Sequence, residues 1–521
     1  MQFIIKNLKL EIIKYSILTF LLAIIMVAEA YLMQFIVDAT QVQDVWGYIQ
    51  IIGWILVFLA VQTALYYAQQ YLTAKLSKES IYLYRLRLFE HLSGLPLYEV
   101  VQDKREKVLA TLTSQLDLLE HRYFYTIYWG GYLICQLIVA IIVSLWFNPL
   151  IALLAILLSL PNLLVALKFK QQLEQNQMGL MNELGQAVGT IKDVVDGISD
   201  WQTFNCQPFV YQVFERQTQK LLTQQLKVEK FQHFIGSLNQ LFSNLLYFGS
   251  WFIGGIFIIQ GQLSLGGMIA FSQLLVRISY PVYTSSDLIA QYVSGRAMLE
   301  QLEQEFLMTT CGESLERLDI VEFSEFAPLI SNQTQHVVWQ RGKKYLVLGE
   351  SGSGKSTLLK ALIQETAQYR GEVGVNGKKV QKVAPNSLYN QIAYVPQAPH
   401  LFAASLRENL TVFNPDYSDA QLYEVLTWVE LEKWANREAL DLVLQTGNLS
   451  VSGGEMKRIA LARALLSNKE WLLIDEFSSG IDKDTLAKIE TKLLALDKTL
   501  VYVTHVQATD LAPYFDEIYQ L

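Results

Sequence analysis

A chain of 521 residues with 52% hydrophobic and only 17% charged residues, and a mean hydropathy of +0.24, is too apolar for an ordinary soluble protein. Its 41 Lys and Arg against 49 Asp and Glu leave a net charge of −8, which argues against a nucleic-acid partner. The apolar content, with 29 Gly and 11 Pro in no period, excludes disorder, collagen and coiled coil, and predicts a membrane part joined to a water-soluble part.

The membrane part comes first in the chain. Residues 15–37 carry one charged group, Glu29, and residues 46–74 carry none. Residues 123–167 hold no Asp, Glu, Lys or Arg, and that is too long for one helix when about 20 residues span the hydrocarbon core. Asn148-Pro149 is a turn signal near its middle, which predicts helices over 124–147 and 149–168 joined by a tight hairpin. Residues 231–276 are equally free of charge and break at the GQLSLGG segment, 261–267, which predicts helices over 238–260 and 266–295. Six spans result. Lys6, Lys9 and Lys14 precede the first, and most of the remaining Lys and Arg of this region crowd into the second-to-third and fourth-to-fifth connections. The positive-inside rule then puts both termini in the cytoplasm of a multi-pass cell-membrane protein. No small-residue cleavage site ends the first apolar stretch, so a removable signal peptide is not expected. Cys135, Cys206 and Cys311 have no metal-ligand spacing, and the cytoplasmic placement of the last two makes a disulfide unexpected. The two basic connections are long, helical in pattern and charged; half of a hairpin of about 50 residues reaches roughly 35 Å at 1.5 Å per residue. Glu29 and Arg277 fall at a similar depth in the first and sixth spans. They can pair between helices or line a substrate path.

After Arg296 charge returns, and β-type runs at 344–348, 391–395, 471–474 and 500–503 alternate with helical patterns. This predicts an α/β domain with a mainly parallel sheet. Gly349-Glu-Ser-Gly-Ser-Gly-Lys-Ser356 follows the run KYLVL and opens the helical pattern STLLKALIQE, which is the context a phosphate-binding P-loop requires. The backbone of Gly349, Ser351, Gly352, Ser353 and Gly354 can wrap a phosphate, with Ser356 and Thr357 starting the helix whose N-terminus favours anions. Lys355 reaches for the β- and γ-phosphates of ATP, and Ser356 for Mg²⁺. The apolar run WLLI ends in Asp475 and Glu476, suited to the Mg²⁺ shell and to polarising a water. Ser452-Gly453-Gly454-Glu455 opens a second long helix and is either a second anion site or an ordinary cap.

With these residues in this order, the chain resembles an ATP-binding cassette (ABC) protein of the exporter type: a half-transporter with one membrane domain fused to one cassette. Ser452–Glu455 is similar to that family's LSGGQ signature, Gln397 in YVPQ to its Q-loop glutamine, Asp482 to its D-loop and His505 in VTHV to its switch histidine. The resemblance implies a six-span α-helical transmembrane domain over 1–300 with long cytoplasmic coupling hairpins, and an α/β P-loop nucleotide-binding domain over 301–521. It implies ATP and Mg²⁺ as ligands, the ion held by Ser356, Asp475 and Gln397, and an adenine-stacking aromatic at Phe323 or Phe326. It further implies hairpin tips near 113–120 and 197–204, and a second half-transporter, identical or not, arranged head-to-tail so that ATP lies between one P-loop and the other signature. Three departures from the family pattern stand out. Residues 444–448 lack the usual Glu before the signature, Val506 replaces a common Arg, and most cassettes run on beyond the position of Leu521. No stretch matches an N-terminal peptidase domain. The expected function is ATP-driven export by a dimer, with an importer on the same fold or a non-transporting membrane ATPase as alternatives.

Overall fold

The computed structural model describes residues 2–40, 45–100, 105–307, 312–329, 334–350, 352–444, 451–504 and 509–521. They fall into two compact units: Met1–Phe89 with Ala110–Leu307, and Glu90–Leu109 with Met308–Leu521.

The first unit is helical throughout: α1 (Lys9–Ala39), α2 (Val45–Ser93), α3 (Val108–Phe147), α4 (Pro149–Asp196), α5 (Gln207–Ile259) and α6 (Leu265–Leu302). All except α4 are long and apolar enough to cross a membrane by length and composition, and the first 19 residues of α4, 149–167, carry no charged group. The expected breaks have local causes. Asn148 is extended and Pro149, which lacks an N–H, opens α4 where a missing donor costs nothing. Gly261 takes φ +71°, and the Ser264 hydroxyl caps α6 by accepting from the Gly267 N–H at 2.9 Å. Small residues let α1, α3 and α6 approach closely: Ala23 and Ala30, Ala140 and Ala270 share one cluster with Val27, Val139 and Leu274. Pro281 lies inside α6 without ending it. Two wide π-helical turns, Thr111–Gln115 and Glu120–Tyr125, interrupt α3.

The first expected hairpin tip is displaced. Residues 113–120 lie within the helical rod of α3, and the chain reverses instead around Gly94 and the short helix Leu97–Val100. A Gly-Leu-Pro sequence at 94–96 breaks the helix there, because Pro96 supplies no donor. This turn clusters with the second unit, where the Tyr98 N–H donates to the Gln364 carbonyl at 2.8 Å. The other tip is where its spacing puts it, a short helix Ile198–Thr203 between α4 and α5.

The second unit is built on two main sheets, with a third of two short strands, Ala404–Ser405 and Val443–Leu444. A five-stranded parallel sheet runs in the order β8 (Glu517–Gln520), β3 (Lys344–Leu348), β7 (Thr499–Thr504), β6 (Trp471–Asp475), β5 (Ile392–Val395). Strands β6 and β7 are buried along their whole length, as the continuous apolar runs of a sheet covered on both faces demand. Alternation sends Leu346, Leu472 and Tyr502 to one core and Tyr345, Val347, Leu473 and Val501 to the other. The second core lies against α7 (Lys355–Leu362) and an antiparallel sheet of β2 (Gln335–Gln340), β1 (Ile320–Pro328) and β4 (Tyr369–Val375). The first lies against α8 (Asp419–Trp428), α9 (Gly453–Leu466) and α10 (Lys483–Leu494). The antiparallel sheet and edge strand β8 have short patterns that did not stand out in the sequence.

Candidate functional site

The P-loop joins β3 to α7 at the carboxyl end of the parallel strands, where ligands of open α/β sheets bind. Gly352 and Gly354 hold φ of +85° and +101°, which residues with a Cβ rarely adopt. The Lys355 side chain is 3% exposed, curled back so that its ammonium donates to the Gly349 and Glu350 carbonyls at 2.9 and 2.7 Å. The Ser353 hydroxyl is buried without a partner beside a cavity of about 240 Å³ that Gly354 and Glu350 also line. An orphan donor in a glycine cradle fits a phosphate oxygen. Thr357 follows Ser356 in the first turn of α7, and Ser351 lies outside the described residues.

Asp475 ends β6 and Ser356 begins α7, and the Ser356 hydroxyl donates to the Asp475 carboxylate at 2.9 Å. The Tyr394 hydroxyl donates to the other oxygen at 3.2 Å. Asp475 is 1% exposed, and burial pushes its carboxyl above the usual range despite both hydrogen bonds. Burial likewise holds the Tyr394 phenol well above its own range. A buried carboxylate beside a hydroxyl is an oxygen donor set that suits Mg²⁺, so Ser356 and Asp475 fit that ion. Gln397, expected as a third ligand, donates from its side-chain nitrogen to the Glu476 carboxylate, a bond that leaves its amide oxygen for the ion.

Glu476 follows directly, with φ +46°, a left-handed conformation that costs of order 1–3 kcal/mol for a residue carrying a Cβ. Its N–H donates to the Val503 carbonyl at 3.0 Å, and its carboxylate lies 3.7 Å from the Lys355 ammonium. Its carbonyl accepts from the Lys457 ammonium at 2.7 Å, and the same ammonium reaches the Ser479 hydroxyl at 2.7 Å. Lys457 comes from α9 and is 6% exposed, and burial lowers its pKa against the pull of Glu476 and Asp475. The spacing of the motifs gave no sign of Lys457 or Tyr394; each is recognisable only once β5, β6 and α9 are packed together.

The second glycine motif opens α9. The Ser452 hydroxyl accepts from the Glu455 N–H at 3.3 Å, and the Glu455 carboxylate accepts from the Ser452 N–H at 2.7 Å, a reciprocal capping box. Burial alone would raise the Glu455 carboxyl, but the Lys433 ammonium and the Ser452 amide and hydroxyl bring it down to about 2. Gly453 faces open space, whereas a Cβ on Gly454 would come within 2.3 Å of the Gly480 carbonyl, so the D-loop packs directly on the signature turn. Asp482 caps α10, accepting from the Thr485 N–H at 2.9 Å. His505, Val506, Cys311 and residues 445–448 lie outside the described residues.

The two candidates for adenine stacking differ in their surroundings. Phe323 is 0% and Phe326 1% exposed, both inside the second core. Phe323 packs edge-on against Trp339 at 5.0 Å and against Phe326 at 5.4 Å, and Phe326 meets Tyr369 at 5.2 Å. Phe323 is enclosed by these contacts, whereas Phe326 also lines the cavity beside Ser353 and Gly354.

In the helical unit, Arg277 of α6 donates to Glu29 of α1 at 2.6 Å, and Gln62 of α2 donates to the same carboxylate oxygen at 3.0 Å. The depth match is thus an ion pair between helices, with side chains 26% and 28% exposed. Gln62, the third member, carries no charge and so left no mark on the charge pattern.

Comparison with known proteins agrees with both units. The family described as ABC transporter transmembrane region matches residues 12–282, and that described as ABC transporter matches residues 334–479. The transport/processing ATP-binding protein ComA of Streptococcus pneumoniae is 25% identical over 94% of this chain and 70% of its own length. The glutathione/L-cysteine transport system protein CydC of Haemophilus influenzae is 39% identical, over 32% of this chain and 30% of its own. The ATP-dependent lipid A-core flippase of Desulfotalea psychrophila is 24% identical over 97% of this chain and 92% of its own. The solved structure of a bacterial Atm1-family ABC exporter with ATP bound superposes with a TM-score of 0.81 at 16% identity, covering 99% of this chain and 93% of that one. Helices fit to cross a membrane, a P-loop backed by an Asp-Glu strand end and both family matches converge: this chain belongs to the ABC transporters and is a multi-pass, exporter-type half-transporter with an ATP-binding cassette.

Proposed function

We propose that the chain is one half of a dimeric ATP-driven exporter in which ATP binding and hydrolysis drive alternating access. The observation that carries this is the Ser356–Asp475 contact under the P-loop with Glu476 next in the chain. Lys355 swings from the Gly349 and Glu350 carbonyls onto the phosphates. Ser356 and Asp475 would hold Mg²⁺, which would supply charge neutralisation for phosphoryl transfer. Glu476, aimed by Lys457 and Gln397, orients and polarises the attacking water, and His505 steadies the γ-phosphate. The exposed Ser452-Gly453 turn supplies a second phosphate-binding helix end, which serves the nucleotide of the opposite subunit. Both termini lie in the cytoplasm, as the Lys and Arg of the connections require. The short helices Leu97–Val100 and Ile198–Thr203 pass the closure of the cassettes to the membrane helices. The relatives' names point to different cargoes, so none is carried over. All the hydrolytic groups are present in this one chain, which permits a homodimer; a related half-transporter is the other partner.

Mixed dimers test the composite site. Lys355→Ala and Ser452→Ala proteins, each inactive alone, should regain a measurable share of ATPase activity when co-expressed, because one of the two sites then has an intact P-loop and an intact signature. No recovery would count against independent head-to-tail sites. ATP-dependent uptake into inside-out vesicles supports export; uptake only into right-side-out vesicles reverses the direction.

A further inference from the structure

Between α3, α4, α5 and α6 lies a cavity of about 660 Å³, within the range of small-molecule sites. Its wall is polar and carries both signs of charge. Arg122 and Asp287 face it with the amides Gln232, Asn239 and Gln291. Arg122 sits in the π-helical turn Glu120–Tyr125, a local widening of the kind found at functional sites. A Cβ on Gly295 would come within 2.7 Å of the Arg122 backbone, so α6 presses directly on that turn and fixes it. The guanidinium spends one donor on the Ser294 hydroxyl at 2.9 Å and keeps others of its five for a ligand. Asp287 forms no ion pair among the described residues. Asn239 is 2% exposed, yet its Oδ1 accepts no hydrogen bond. A buried amide oxygen without a donor is costly, and a ligand N–H in this cavity would relieve it. A second, mostly apolar cavity of about 320 Å³ shares Tyr283 with the first; Leu246, Leu275, Val276 and Tyr280 line it together with Gln240 and Asn244, between α5 and α6.

We infer that this cavity binds a polar, zwitterionic ligand of the short-peptide class, its carboxylate on Arg122, its ammonium on Asp287 and a backbone N–H on Asn239. An acyl chain is excluded by the same wall, since it would strip water from two charges and an amide and pair none of them. The inference rests on the exporter reading and adds its substrate class.

The test uses the full chain in lipid nanodiscs and calorimetric titration with triglutamine, free or capped by N-acetylation, C-amidation or both. The free peptide should bind about tenfold more tightly than either singly capped form, which is 1.4 kcal/mol per charge. Asp287→Asn should abolish the effect of N-acetylation and keep that of C-amidation; Arg122→Gln should do the reverse. The retained half of each pattern shows that the variant is folded. Asn239→Leu should weaken all four peptides alike. No binding of free triglutamine, equal binding of the doubly capped form, or variant effects that do not follow the matching cap would overturn the assignment. Peptide binding without ATP hydrolysis by the parent protein would instead sink the exporter reading and leave the cavity assignment standing.

Discussion

The cassette and the helical unit treat their charged groups in opposite ways. In the cassette Lys355, Asp475, Glu476 and Lys457 are almost fully buried, and each has a fixed partner. In the helical unit Glu29 and Arg277 keep about a quarter of their side-chain surface open, and Arg122, Asp287 and Asn239 face a cavity with bonding capacity to spare. The difference follows from the task. Phosphoryl transfer is served by groups such as Asp475 and Glu476 positioned before the nucleotide arrives, with Lys355 parked on the loop carbonyls that it leaves for the phosphates. If the cavity is the ligand site inferred above, its unsatisfied polar groups are what a site that binds and then releases requires.

The largest test of that contrast is Glu476→Gln. Loss of a positioned base costs about 10²–10⁴-fold in rate. Steady-state hydrolysis should fall by that amount while ATP binding, followed by a fluorescent analogue, is retained. Hydrolysis at the parent rate would move the base elsewhere.

Next comes Lys457. Lys457→Met leaves the Glu476 carbonyl and Ser479 hydroxyl without their buried donor, a loss of about 1–3 kcal/mol. We expect kcat to drop about tenfold, by 1.4 kcal/mol, with KM for ATP little changed, and Lys457→Gln to recover part of it because an amide still donates. Equal loss in both variants, or a change confined to KM, would show that Lys457 does not position the catalytic carboxylate.

A smaller effect is expected across the helices. Interhelical polar contacts in membranes average about 0.6 kcal/mol and reach about 1.7. Glu29→Gln and Arg277→Gln should each lower thermal stability in detergent, and the double variant should be more stable than the sum of the two predicts. Strict additivity would mean that the ion pair contributes nothing, and a change in substrate-stimulated ATPase at unaltered stability would assign the pair to the substrate path.

The last concerns pH. Glu455 has its carboxyl lowered from 4.5 to about 2 in the folded cassette, so its contribution is present above 4.5 and is lost as the pH falls toward 2. Stability of the parent should therefore decline more steeply below pH 4.5 than that of Glu455→Gln, which has nothing left to protonate there. Parallel curves would mean that the capping box does not depend on the charge.

The sequence by itself determined the membrane-length apolar stretches with their breaks at Asn148-Pro149 and 261–267, the P-loop, the Asp475-Glu476 strand end, the Ser452 cap and the four central strands. Each rests on information local in the chain: a charge-free stretch of membrane length, a glycine spacing before a helical pattern, a run of apolar residues. The shared depth of Glu29 and Arg277 was legible for a related reason, since a fixed rise per residue turns chain position into height. Only the tertiary structure decided what depends on neighbours distant in sequence. It placed Gln62 on Glu29, Lys457 and Gln397 on Glu476, and Tyr394 on Asp475. It drew Phe323 and Phe326 into the core that the antiparallel sheet shares with α7 and the parallel strands, a burial that spacing from Lys355 does not register. It moved the first hairpin tip from 113–120 to Leu97–Val100, because a helix pattern continues through a turn in space only as far as the next missing donor, and Pro96 supplies that break.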